Sequence, residues 1–247
     1  MATLTNNRTA VVTGAARGLG FGLVKGLLER GWRVIAGVHR EASEELSRLQ
    51  QQFEGGLLIV KLDIGSDDSV KKASIQAAEW TDSVDLIINN AGVLGDIDRK
   101  LPDELDFDEM LHVINVNSLG PLRVTQAFFS MLLRSGRPIV ANISSEAGSI
   151  GDCGRDNWYG YCMSKSAVNM QSALVHNQLK ELGGRVLVLH PGWVQTYIHG
   201  ELNTSARLTI DQATVNVLGA IEQEADWPDV DGKPPYIDTE FGISLPW

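Results

Sequence analysis

Short runs of aliphatic and β-branched residues alternate with longer amphipathic stretches from one end of the chain to the other. The runs lie at Thr9–Thr13, Arg33–Val38, Leu57–Leu62, Asp85–Asn89, Pro138–Ile143 and Arg185–His190, with a weaker one at Pro235–Asp238. Most are continuously apolar, the pattern of strands covered on both faces. The helical period recurs between them, at Gly18–Arg30, Glu41–Phe53, Ser66–Trp80, Glu104–Arg134, Tyr159–Leu182 and Thr209–Glu224, with a break or bend expected near Pro121. Gly31, Gly55 and Gly183 suit helix C-termini, and Ser66 followed by Asp67 and Asp68 suits an N-terminus. A strand, a helix and a second strand in succession return parallel. The alternation therefore predicts an α/β fold: one doubly wound domain over residues 1–247, with a mostly parallel seven-stranded sheet and helices on both faces.

Composition excludes several functions. Hydrophobic residues make up 43% of the 247, enough to bury a core. The 31 acidic residues outnumber 21 basic ones, a net charge of −10 that argues against capture of nucleic acid or an anionic membrane. The segment Met1 to Thr9 is polar and no apolar run approaches the ~18 residues that span a bilayer, so the expectation is a soluble, cytoplasmic protein. Cys153 and Cys162 fit no zinc or redox spacing and suit a reducing compartment. The five His, at 39, 112, 176, 190 and 199, show no ligand spacing, so no metal is assigned. Met163 and Met170 read as core filler, and Asp103 to Asp108 as an acidic helix start.

Four motifs carry chemistry. T-G-A-A-R-G-L-G, Thr13 to Gly20, joins the first strand to the first helix; its glycines let backbone approach a pyrophosphate at a helix N-terminus. Tyr161 and Lys165 lie one helical turn apart on one face, a pair that alone could equally be ordinary helix surface. N-N-A-G, Asn89 to Gly92, and I-S-S-E-A-G, Ile143 to Gly148, fall at the ends of the fourth and fifth strands, where an open α/β sheet binds ligands. Polar residues there are also common turn formers.

Together, and in this order, these motifs resemble the short-chain dehydrogenase/reductase family over Thr9 to Trp247, with a nearer likeness to its C-factor and sniffer-like carbonyl reductases. H-P-G-W-V-Q-T from His190, the G-Y-C-M-S-K around Tyr161 and the L-P-W at the end carry the nearer likeness. The resemblance implies a Rossmann domain with a catalytic set of Asn117, Ser145, Tyr161 and Lys165. Tyr161 would be the general acid/base, its phenol lowered toward neutral pH by the Lys165 ammonium, which would also bind the nicotinamide ribose. Ser145 would donate to the substrate oxygen, with Ser144 a rival; Asn117, with Asn115 a competitor, would hold a water that resupplies protons. Gly14, Gly18, Leu19 and Gly20 would cradle the phosphates, and Asp63 with Ile64 would flank the adenine. Asn89, Asn90, Ala91 and Gly92 would line the adenosine ribose side, while Pro191, Gly192, Val194 and Thr196 would hold the nicotinamide end.

Family members that use NAD end the second strand in a carboxylate. Val38 stands there, followed by His39 and Arg40, with Arg17 in the glycine loop, so the expected cofactor is NADPH, with NAD(H) also open. The substrate loops are expected at 94–101, 151–160 and 193–208; their Trp158, Tyr159, Trp193 and Tyr197 suit a moderately apolar carbonyl or alcohol. The family likeness implies a homodimer or homotetramer built on the two long helical stretches. The competing reading is a catalytically silent NADP(H)-binding regulator on the same fold.

Overall fold

The computed structural model describes residues 8–198, 200 and 202–247. The polar segment before Arg8, and His199, lie outside the described residues. The first strand, β1 (Thr9–Thr13), is buried at every position. Its alternate residues face two different cores: Ala10 and Val12 pack with Leu23, Leu46 and Val217, whereas Val11 packs with Val70, Val124, Phe128 and Leu179. A strand that must be apolar on both faces reads as a continuous run, which is why the sequence shows no alternation there.

The remaining strands are β2 (Arg33–Val38), β3 (Leu57–Lys61), β4 (Leu86–Asn89), β5 (Ile139–Ile143), β6 (Arg185–His190), β7 (Tyr236–Asp238) and β8 (Ile243–Ser244). They form one sheet in the order β3-β2-β1-β4-β5-β6-β7-β8. All pairs are parallel except β7 with β8. The sheet thus has eight strands, not the seven expected; β8 is a two-residue exposed edge with no apolar run to announce it. The chain runs outward from β1 to β3, then returns to place β4 on the other side of β1. That reversal opens a crevice at the carboxyl ends of β1 and β4.

Helices α1 (Gly18–Glu29), α2 (Glu44–Gln52) and α7 (Ile210–Glu222) cover one face of the sheet, while α3 (Asp67–Trp80), α5 (Gly120–Leu132) and α6 (Tyr159–Leu179) cover the other. Capping sets their starts: Ser43, Ser66 and Thr209 accept from Leu46, Ser69 and Gln212 backbone N–H groups. Ser43 therefore starts α2 three residues later than the expected Glu41. Gly31, Gly55 and Gly183 take the positive φ expected of them. The expected long helix from Glu104 is instead α4 (Phe107–Ile114), capped by Asp106, a π turn at Asn115–Leu119, and α5. Gly120 N–H reaches back to the Asn115 carbonyl, and Pro121 has no N–H with which to continue the ordinary helical ladder. The methionines also correct the sequence reading: Met163 and Met170 are more than half exposed on α6, not core filler.

Candidate active site

A cleft of about 1160 Å³ lies along the carboxyl ends of the central strands. Bare backbone forms its floor. Gly14 and Gly18 have φ of 67° and 59°, and a Cβ on Gly20 would stand 2.2 Å from the Gly14 carbonyl oxygen. Only glycine fits at that approach. The N–H groups of Asn90 and Ala91 both donate to Thr13 Oγ1 at 3.0 Å, and Asn90 Nδ2 donates to the Thr13 carbonyl at 2.9 Å, so the glycine turn and the N-N-A-G segment are bound into one surface. Asn90, Ala91 and Gly92 line the cleft; Asn89 does not. Its buried amide instead donates to Asn142 Oδ1 at 2.8 Å and Thr125 Oγ1 at 3.2 Å, tying β4 to β5 and α5, which corrects its expected ligand role.

Arg17, His39, Arg40, Asp63 and Ile64 line the cleft. His39 Nε2 lies 3.7 Å from Asp63 Oδ2, and the Arg17 guanidinium lies 5.3 Å from the Tyr197 ring centre. Leu19, Pro191, Gly192, Val194 and Thr196 also line the cleft, and Thr196 stands beside Gly18. A cleft that combines bare glycines at a helix N-terminus with Arg17, His39 and Arg40 in its lining fits a dinucleotide that bears an additional phosphate. Trp158, Trp193 and Tyr197 line the same cleft; Tyr159 and Gly160 belong to α6, so the second substrate loop ends at Trp158.

At the centre are Ser145, Tyr161 and Lys165. Ser145 lies two residues past the end of β5, and its Oγ accepts from Ala147 N at 3.2 Å. Tyr161 and Lys165 sit on the buried face of α6, and the Ser145 hydroxyl is near enough to the Tyr161 phenol to favour its ionised form. Lys165 Nζ donates to the Ile143 carbonyl at 2.8 Å and lies 5.6 Å from the Tyr161 ring centre. Burial draws the Lys165 ammonium down to about 8 and pushes the Tyr161 phenol well above its ordinary value. Loss of water dominates the phenol, and the groups that oppose it are the Ser145 hydroxyl and the Arg155 guanidinium rather than the expected Lys165. Ser144, the rival, also lines the cleft, but its hydroxyl donates to Asn169 Oδ1 at 2.7 Å.

Asn117 lies on the π turn behind the cleft. Its side chain accepts from Val93 N at 2.8 Å and donates to the Val93 carbonyl at 2.8 Å and Ser164 Oγ at 3.0 Å. A Cβ on Gly92 would be 3.2 Å from Asn117 Oδ1 and 3.9 Å from Lys165 Nζ, so Gly92 separates the two. Asn115, the competitor, lines the cleft and is held by Gly65 and Arg123.

Sequence reasoning passed over Glu146, Arg155 and His190, which the fold brings to the same place. Glu146 Oε2 accepts from Ser145 Oγ at 2.6 Å and lies 3.4 Å from His190 Nδ1, while its Oε1 is gripped by Arg155. Burial opposes ionisation of Glu146, but His190, the Ser145 hydroxyl and the Arg155 guanidinium together hold its carboxyl below the usual range. Burial draws His190 down. Trp158 caps the group from a left-handed backbone (φ 63°), its ring edge-on to Tyr161 at 5.8 Å. The signal for Glu146 was its place inside I-S-S-E-A-G, for His190 its place at the head of H-P-G-W-V-Q-T, and for Arg155 only its place in the expected 151–160 loop.

A family model for short chain dehydrogenases matches residues 8–207. The chain belongs to that family of oxidoreductases. It is 31% identical to the short-chain dehydrogenase RED3 of Pyricularia oryzae, over 99% of this chain and all of that one. It is 40% identical to the C-signal protein of Myxococcus xanthus over 120 residues, 49% of this chain and 71% of that one. Among solved structures, an NADPH-bound carbonyl reductase from chicken fatty liver superposes with a TM-score of 0.82 at 29% identity, covering 98% of this chain and 100% of that one.

Proposed function

We propose that this chain, acting as one nucleotide-binding unit, is an NADPH-dependent carbonyl reductase that also runs in reverse as an alcohol dehydrogenase. The observation that carries the reading is the placing of Lys165 5.6 Å from the Tyr161 ring centre on the buried face of one helix, with Ser145 lining the same glycine-floored cleft. Arg17, Arg40 and His39 would hold the 2′-phosphate; Gly14, Gly18, Leu19 and Gly20 the pyrophosphate; Asp63 and Ile64 the adenine; and Pro191 to Thr196 the nicotinamide end. The nicotinamide supplies or accepts the hydride when bound.

Tyr161, kept protonated by its burial, gives its proton to the carbonyl oxygen, and Ser145 steadies the charge that gathers there. Lys165 anchors the ribose and faces the growing phenolate. Pro121 cannot give the Asn117 carbonyl the usual helical hydrogen bond, which suits that oxygen to hold a water on the route back to Lys165. Trp158, Trp193 and Tyr197 favour a moderately apolar substrate.

The test is NADPH oxidation across a panel of aldehydes and ketones, with Tyr161→Phe as control. Turnover by the protein and none by the variant supports the reading. NADPH binding without oxidation of any carbonyl would sink it in favour of a silent regulator, the reading that the likeness to C-signal suggests. Two free thiols favour a cytoplasmic setting, and no helix among the described residues is long and apolar enough to cross a membrane. Leu111, Met163, Met170 and Leu174 are exposed on the packed pair α4 and α6, a surface that a second copy would cover. Light scattering of the protein and of Met170→Glu tests this: a dimer or tetramer that the charge breaks is expected, and a monomer refutes it.

A further inference from the structure

The Leu245-Pro246-Trp247 segment has no place in the expected catalytic set, yet it reaches the stretch of chain that carries Ser145. Leu245 N–H donates to the Tyr236 carbonyl at 2.7 Å, one residue beyond the pairing of β7 with β8. Pro246 has no N–H with which to continue that ladder. The Trp247 ring lies against the ring of Tyr236, with centroids 5.7 Å apart and planes tilted by 55°, and the Trp247 main-chain oxygen accepts from Gly151 N–H at 3.1 Å. Gly151 opens the second substrate loop, and a Cβ there would stand 3.2 Å from Pro246 Cβ, so the two segments are in close contact. Tyr236 itself is buried, and its hydroxyl donates to the Ser145 backbone carbonyl, which also takes the Gly148 N–H at 2.8 Å.

The stretch from Ile143 to Gly151 is thus suspended from two sides. From α6, Lys165 Nζ donates to the Ile143 carbonyl, and Ser166 Oγ and Asn169 Nδ2 donate to the Gly148 carbonyl at 3.0 and 3.1 Å. From the other side, Tyr236 holds the Ser145 carbonyl and Trp247 holds the Gly151 N–H, and the ring contact ties these two holds together. We propose that Tyr236 and Trp247 are positioning residues that lock Ser145 and the head of the substrate loop into one rigid unit. The proposal rests on the reductase reading. Neither side chain lines the cleft, so the pair acts through the groups it holds. A serine that steadies charge on a substrate oxygen must keep its hydroxyl in place, because a misplacement of about 1 Å costs about 100-fold in rate. The loop that begins at Gly151 carries Trp158 to the cleft, so the same hold places an aromatic wall against the substrate.

Hydrogen exchange over residues 145–157, measured without added cofactor, reads this unit without turnover. Trp247→Ala removes the ring contact and Tyr236→Phe removes the hydroxyl; each releases one hold and is expected to speed exchange there about 5- to 10-fold. Trp247→Phe keeps a ring on Tyr236 and should retain the parent's protection. With the best carbonyl of the panel, Tyr236→Phe should lower the single-turnover rate of NADPH oxidation about tenfold at saturating substrate while KM stays put, because it loosens the serine. Trp247→Ala should instead raise KM about tenfold with that rate nearly unchanged, because it loosens the loop. NADPH affinity should stay near the parent's in both. Three results overturn the proposal: exchange that stays at the parent's rate in Trp247→Ala and Tyr236→Phe, a Trp247→Phe variant as loose as Trp247→Ala, or a loss of NADPH affinity that matches the loss of turnover, since the pair would then support the fold at large. If no carbonyl is reduced at all, the reductase reading fails, while the exchange pattern still decides whether Tyr236 and Trp247 hold the unit.

Discussion

Lys165 is a buried ammonium with one backbone carbonyl as its hydrogen-bond partner, and replacing it should make the protein more stable while stopping its chemistry. Folding draws its pKa from 10.5 to about 8, and at about 1.4 kcal/mol per pK unit this costs the folded state about 3 kcal/mol at pH 7. Lys165→Met keeps the unbranched stem, removes the charge and leaves the Ile143 carbonyl without its donor, a loss of about 1 kcal/mol. The net expectation at pH 7 is a gain of about 2 kcal/mol, a rise in Tm of about 4–8 °C for a chain of this size. The sign of the pH dependence follows. Between pH 8 and 10.5 the unfolded chain holds the Lys165 proton and the folded chain does not, so this group's penalty is relieved as pH rises. Cys162 and Tyr161, both raised by burial, act in the opposite direction from about pH 9 upward, so the clean comparison is pH 7 against pH 9. Urea unfolding without cofactor should show the variant ahead at pH 7, with its lead reduced by about 1 kcal/mol at pH 9. A variant no more stable than the parent at pH 7, or a lead that does not shrink, would refute the account of Lys165 as a desolvated cation held for function.

Further expectations concern the cofactor end. Arg40→Glu should lower kcat/KM for NADPH about 10- to 100-fold, the value of one charged hydrogen bond to phosphate, and leave that for NADH nearly unchanged; equal losses with both cofactors would place the 2′-phosphate elsewhere. Gly20→Ala drives a methyl group to 2.2 Å from the Gly14 carbonyl and 2.6 Å from Asn90 Nδ2. It should abolish NADPH binding in a fluorescence titration and cost about 1–3 kcal/mol of stability; unchanged affinity would show that the turn is not the phosphate floor.

The sequence was legible wherever one physical demand dominated. Strands sealed on both faces must be apolar throughout, so β1, β2 and β6 were bounded to the residue, and Ser66 announced α3 because its hydroxyl caps the Ser69 N–H. Legibility failed where two demands coincide. Asn89 and Asn90 are chemically identical neighbours, yet strand alternation sends one into the sheet core and the other to the cleft. Met163 and Met170 looked like packing residues because hydrophobicity alone does not say which side of α6 is covered. The Glu146–Arg155–His190 group joins residues from three separate stretches, and local pattern carries no information about such a meeting.

The π turn before α5 carries one residue more than an ordinary helix would use, and each residue turns a helix by about 100°. Deleting one residue from 115–119 would restore a regular helical ladder leading into Pro121, a local repair by hydrogen-bond count. The same edit would swing Asn117 away from Val93 and Ser164, or else turn the Val124 and Phe128 face of α5 off the sheet. The irregularity is therefore a phase shifter: it lets one continuous rod serve two azimuths, the site upstream and the core downstream.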